Sequence, residues 1–194
     1  MNLPNKLTLL RVALIPFFLL FIYLDVPFHF LLALFIFTAA SITDALDGKI
    51  ARARNLVTNF GKFLDPLADK VLVISALTVF VELDEVNMGA VPLIIITARE
   101  FMVSGLRLLA ADSGVVVAAG IWGKLKTAFT MVTIVAALLW LSICHDFSFN
   151  IPNAVVTAAD DIIIPVLIWV STILTVISGL IYLKGYYHLI DSDK

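Results

Sequence analysis

The sequence predicts an all-α integral membrane protein with six transmembrane helices, a short N-terminal interfacial helix and both termini in the cytoplasm. Three observations carry that prediction. Of the 194 residues 61% are hydrophobic and only 14% are charged, and the mean hydropathy is +1.06, far from the composition of soluble domains. Apolar runs of bilayer length, each needing about 20 residues, recur along nearly the whole chain, so residues 1–194 read as a single membrane domain. Lysine and arginine collect at alternate connections, which sets the orientation.

Met1 to Arg11 contains Asn5, Lys6, Thr8 and Arg11, and Pro4 suits the first turn of an interfacial helix. Val12 to Leu24 is the first span. Asp25-Val26-Pro27-Phe28 follows it in place of a small-residue cleavage site, so the run is expected to stay as a span and not to be removed as a signal. The second span begins at Phe28, is free of charge to Thr43, and runs into a polar stretch. Gly61 to about Val81 is the third, with Pro66 tolerable in its first turn. After the acidic turn Glu82-Leu83-Asp84-Glu85, Met88 to about Ala111 forms a fourth span interrupted by Arg99, Glu100 and Arg107. Gly114 to Ser142 is the fifth, His145 to Asp161 a polar connection, and Ile162 to about His188 the sixth.

Lys6, Arg11, Lys49, Arg52, Arg54, Lys62 and Lys70 lie at the N-terminus or around the second connection. The turns near Asp25, Glu82 to Glu85 and His145 to Asp161 hold no lysine or arginine. The positive-inside rule therefore places the polar stretch on the cytoplasmic side of the cell membrane. Cys144 is the lone cysteine, which excludes an internal disulfide. His29, His145 and His188 fall near span ends and read as interfacial residues.

The polar stretch is the exception to the chain's composition. It reads Asp44-Ala-Leu-Asp47-Gly48-Lys-Ile-Ala51-Arg52, eight residues, then Gly61-Lys-Phe-Leu-Asp65-Pro-Leu-Ala-Asp69. Carboxylates at membrane depth are costly and usually functional. Asp44 and Asp47 share one helix face, as do Asp65 and Asp69, and a chain reversal between the two segments brings all four together. Such a cluster cannot stay ionised without cations, because like charges raise one another's pKa. Oxygen-only donors suit Mg²⁺ or Mn²⁺, and two ions could share four carboxylates to clamp both ends of a phosphoryl displacement. The stretch therefore reads as a metal-dependent phosphoryl-transfer site.

These residues resemble the signature of the CDP-alcohol phosphotransferase family, matched at every fixed position over residues 44–69. The resemblance implies a metal-dependent transferase acting on a CDP-linked alcohol, with two divalent ions among the aspartates. Asp44, Asp47 and Asp65 would be principal metal ligands, and Asp69 a ligand or the catalytic base. Asn5, Thr8 and Thr58 would help to hold the CDP part, to which Asp44 also belongs. Gly48 and Ala51 fit a bare helix face that a nucleotide can approach, and Arg52 fits a diphosphate contact. Family likeness also implies a homodimer. One departure is Ala45, where relatives often carry an aromatic residue.

Acceptor choice must come from outside the motif. Arg99 and Arg107 lie on one flank of the fourth span, and Lys124 and Lys126 at the cytoplasmic end of the fifth. Glu100 can pair with only one of them, so an anionic acceptor is expected to supply the remaining counter-charge. Asn2-Leu-Pro4-Asn5-Lys-Leu-Thr8-Leu-Leu-Arg11, Thr97-Ala-Arg99-Glu100, Gly105-Leu-Arg107 and Gly123-Lys-Leu-Lys126-Thr127 resemble the family's members that use glycerol 3-phosphate, over about the first two thirds of the chain. The expected reaction joins CDP-diacylglycerol to glycerol 3-phosphate in phospholipid biosynthesis. Inositol phosphate or phosphatidylglycerol are the rival acceptors. A divalent-cation transporter is the rival from another class, disfavoured because the carboxylates sit toward one face and no internal repeat is visible.

Overall fold

The computed structural model describes residues 3–53, 59–112, 120–147, 149 and 151–187, with the side chains of 3, 4, 45–53, 59, 60, 62, 63 and 65 left aside. Every long element among the described residues is helical: α1 (Leu3–Tyr23), α2 (His29–Ala53), α3 (Asn59–Glu82), α4 (Ala90–Asp112), α5 (Ile121–Leu141), α6 (Asn153–Ala158) and α7 (Ile164–Tyr186). A π-helical turn, Ser142–Asp146, extends α5, and another, Ala159–Ile163, joins α6 to α7. Three of the resulting rods are long and apolar enough to cross a bilayer: Asn5–Tyr23, Ile121–Asp146 and Asn153–Tyr186. In α2, α3 and α4 the polar residues singled out above lower the hydropathy; the purely apolar part of α2 ends at Asp44.

Helix contacts close a ring. α1 packs on α2, α2 on α5, α5 on α7, α7 on α4, α4 on α3, and α3 returns to α1. Phe18, Phe37, Leu72, Phe80, Ile134, Leu138 and Ile168 fill the interior; Phe18 and Phe37 meet with ring centroids 5.9 Å apart. The outer surface is equally apolar, with Phe35, Leu108 and Ile121 exposed, as a lipid-facing surface requires and a soluble one does not tolerate over so wide an area.

Three boundaries differ from the sequence expectation. The separate interfacial helix is absent: α1 runs unbroken from Leu3. Asn5, Thr8 and Arg11 recur at helical spacing and are buried in the bundle, so the polar face is satisfied inside the protein and no break at the interface is needed. The expected connection from His145 to Asp161 is mostly helix. α5 continues to Asp146 and a new helix starts at Asn153, because two of the three carboxylates in this stretch have partners on neighbouring segments. Trp140 Nε1 donates to Asp160 at 2.6 Å, and Asp146 accepts the backbone N–H of Leu31 at 2.6 Å and of Phe30 at 3.4 Å. Phe28, before α2, has φ +60° and a side chain with no acceptor to offer, so Asp146 supplies from another helix the side-chain cap that α2 lacks. Finally, α5 begins at Ile121, after Gly120; the expected start at Gly114 lies outside the described residues.

Small polar residues set the seat of α7. Ser171, Thr175 and Ser178, with Gly179 and Tyr182, recur every three or four residues and are buried. Side chains this small let helices approach closely in a bilayer, and Thr130 of α5 hydrogen bonds Ser171 at 2.7 Å.

Candidate active site

Successive long helices alternate in direction, so the start of α1, the end of α2, the start of α3, the end of α4, the start of α5 and the end of α7 share one end of the bundle. A cleft of about 840 Å³ opens there, lined by Asp44, Asp69, Lys70, Arg99, Glu100, Arg107 and Lys124 among others. The reversal expected between the paired aspartates therefore brings Asp44 of α2 and Asp69 of α3 to one cavity. Asp47 lies on α2 and Asp65 on α3, but their side chains, like those of Ala51 and Arg52 and the surroundings of Gly48, lie outside what is described, as does all of Thr58.

Arg11 is wholly buried and holds Asp44 at 2.8 Å, while 41% of the Asp44 side chain stays exposed. The guanidinium thus fixes the carboxylate from the interior and leaves its outer side open to the cleft. Asn5 and Thr8 are buried on the same face of α1 as Arg11. Asp69 is half-buried and reaches both the cleft and a smaller recess beneath it. Among the described residues no group of three or more His, Cys, Asp or Glu is placed to hold a metal ion. Asp44 and Asp69 nonetheless face one cavity from two helices with oxygen donors alone, a set that fits a hard divalent cation.

The four cations singled out for the acceptor divide into two kinds. Arg107 and Lys124 are exposed and line the cleft. Lys126 is buried, lines the recess and pairs closely with Glu100. Arg99 is buried but reaches the cleft; its Nη1 is 3.6 Å from Glu100 and its Nη2 donates to Ser178 at 2.6 Å. Glu100 thus meets chiefly Lys126, and among the described residues Arg107 and Lys124 remain as exposed cations of the cleft.

Further residues line the cleft beside those assigned a role from the sequence: Lys70, Ser104 and Thr127. Tyr182 of α7 lies beside it, buried, with its hydroxyl accepting from Arg107 Nη2 and from the Gly120 N–H, each at 3.0 Å. The guanidiniums of Arg99 and Arg107 each lie 5.5 Å from its ring centroid. The spacing of Ser171, Thr175, Ser178 and Tyr182 was the available signal, a polar seam in an otherwise apolar segment.

A helical membrane bundle with carboxylates and cations gathered in a cleft at one end accommodates a charged substrate beside lipid, and the chain belongs to the CDP-alcohol phosphatidyltransferase family, whose model matches residues 1–181. Within it, the chain is 42% identical to the CDP-diacylglycerol–glycerol-3-phosphate 3-phosphatidyltransferase of Bacillus subtilis (strain 168), over 100% of this chain and 99% of the relative. The enzyme of the same name from Rickettsia bellii (strain RML369-C) is 38% identical over 95% and 94% of the two chains. That of Escherichia coli (strain K12) is 45% identical over 72% and 77%. The first two matches extend through the last third of the chain, where the motifs had stopped.

Proposed function

We propose that this chain transfers the phosphatidyl group of CDP-diacylglycerol to glycerol 3-phosphate, giving phosphatidylglycerophosphate and CMP. The observation that carries the reading is the cleft itself, which sets Asp44 and Asp69 opposite Arg107 and Lys124 in a chain alike from end to end to enzymes named for that reaction. A phosphorylated acceptor needs cations, and a hydroxyl nucleophile needs a proton acceptor.

The chemistry follows from these placements. Arg107 and Lys124, with Arg99 and Lys126 behind them, hold the acceptor phosphate. Asp69 takes the proton of the acceptor's primary hydroxyl, and that oxygen attacks the phosphorus bonded to diacylglycerol. The new P–O bond forms as the bond to cytidylate breaks, and CMP leaves with the electron pair. Asn5, Thr8, Gly48, Ala51, Arg52 and Thr58 hold the CDP moiety. Asp44, Asp47, Asp65 and Asp69 would hold two Mg²⁺ or Mn²⁺ ions, which supply neutralising charge to the diphosphate. All six long rods cross the membrane, with both termini and the cleft at the cytoplasmic side. The distribution of lysine and arginine supports this orientation. The acyl chains lie against the apolar outer surface, and the enzyme works as a homodimer, in keeping with family likeness.

The test is CMP release by purified protein from CDP-diacylglycerol with Mg²⁺ or Mn²⁺, offering glycerol 3-phosphate, inositol phosphate, serine and phosphatidylglycerol in parallel. Release with glycerol 3-phosphate alone, lost in Asp69→Asn and on chelation and restored by adding metal back, is the expected result. Release with another acceptor would overturn the acceptor assignment. Metal binding without CMP release from any of them would overturn the transferase reading.

A further inference from the structure

We infer that Tyr182 is a positioning residue for the acceptor phosphate: its hydroxyl ties Arg107 of α4 to the first turn of α5 and so sets the two exposed cations of the cleft at a fixed separation. The inference rests on the transferase reading above. It begins from the convergence on one oxygen. Arg107 Nη2 and the Gly120 N–H both donate to the Tyr182 hydroxyl at 3.0 Å. Gly120 precedes α5 directly, and Lys124 stands one turn further on. Arg107 carries a long, rotamer-rich side chain, and holding it against a rigid aromatic before the substrate arrives removes much of the ordering cost of gripping a phosphate.

The surroundings are shaped to admit this ring. Gly123 sits where a Cβ would lie 3.3 Å from the Tyr182 hydroxyl and 3.4 Å from its ring, so α5 comes this close because its first turn bears no side chain at that position. Ser178, one turn earlier on α7, holds Arg99 at 2.6 Å, and the Tyr182 ring offers both guanidiniums an aromatic neighbour. α7, through Ser178 and Tyr182, thereby organises two charged helices that meet the substrate.

Only the acceptor side of the reaction should respond. The test is steady-state kinetics of CMP release for the wild type, Tyr182→Phe, Arg107→Gln and the double variant, varying glycerol 3-phosphate and CDP-diacylglycerol separately. Phenylalanine keeps the ring and removes the oxygen. With a charge-assisted hydrogen bond lost, KM for glycerol 3-phosphate should rise about tenfold, while kcat and the KM for the lipid donor stay within about twofold. The double variant should be no worse than Arg107→Gln, because the hydroxyl acts through that guanidinium. An unchanged acceptor KM in Tyr182→Phe, an equal rise in both KM values with a fall in Tm, or additive effects in the double variant would each overturn the inference while leaving the transferase reading intact. A wild-type protein that releases no CMP with glycerol 3-phosphate would overturn both.

Discussion

Substituting Gly179 by alanine tests whether the close seat of α7 on α4 is as tight as the geometry says. A Cβ at Gly179 would lie 3.1 Å from Cγ of Arg99 and 3.3 Å from Cε of Met102. The methionine methyl is a flexible end and can turn away. The arginine Cγ is the middle of a stem whose tip is held by Ser178 at 2.6 Å, so it can yield only by a shift of the guanidinium or of the helix. Gly105 on α4 is the internal reference: it is exposed, and a Cβ there meets nothing within 4 Å. Both substitutions bring the same helix-propensity gain, about 1 kcal/mol. Only Gly179→Ala adds overpacking, about 1–3 kcal/mol, so the two variants should differ by that amount. For a chain of this length the gap amounts to roughly 2–12 °C in Tm. Thermal unfolding of the purified variants in one detergent measures it, with Gly105→Ala expected above the wild type. A Gly179→Ala protein as stable as Gly105→Ala would refute the close α4–α7 contact and the placement of Arg99 that depends on it.

Two further outcomes concern charges buried between helices. Glu100→Gln removes the carboxylate from Lys126, whose side chain is 6% exposed, and should cost about 3–5 kcal/mol because a buried ammonium loses its counter-charge; the Glu100→Gln/Lys126→Met pair should recover most of that loss in the same unfolding assay, and a double variant no better than the single one would count against the pairing. Asp146→Ala should lower stability by about 1 kcal/mol through loss of the α2 cap, with Asp146→Asn close to the wild type. Equal losses in the two Asp146 variants would show that charge, not the hydrogen bonds to Phe30 and Leu31, is what Asp146 provides.

How much of this was legible beforehand follows from the range of each interaction. Helical period and apolar length are local, so α2, α3 and α4 fall within a few residues of their expected bounds. Signature spacing is local too, which is why the family could be read from residues 44–69 and why the reversal from α2 to α3 was expected to bring the aspartates together. The errors came where a polar residue looked like a loop or an interface. Asn5, Thr8 and Arg11 in α1 are buried in the bundle, and Arg11, like Asp146 and Asp160 near α5 and α6, is held by a partner distant in sequence.

By itself the sequence determined that this is a helical membrane protein of the CDP-alcohol phosphatidyltransferase family, because hydropathy and fixed motif spacing are written along the chain. Only the tertiary structure decided which of these cations stay exposed. Arg99, Arg107, Lys124 and Lys126 look equivalent as letters, yet Lys126 is buried against Glu100 and Arg99 is buried against Ser178 of α7, while Arg107 and Lys124 stay exposed in the cleft. That division depends on which helices pack side by side. In a ring where α7 lies between α4 and α5, a tyrosine from the most apolar helix comes to stand among the charged groups.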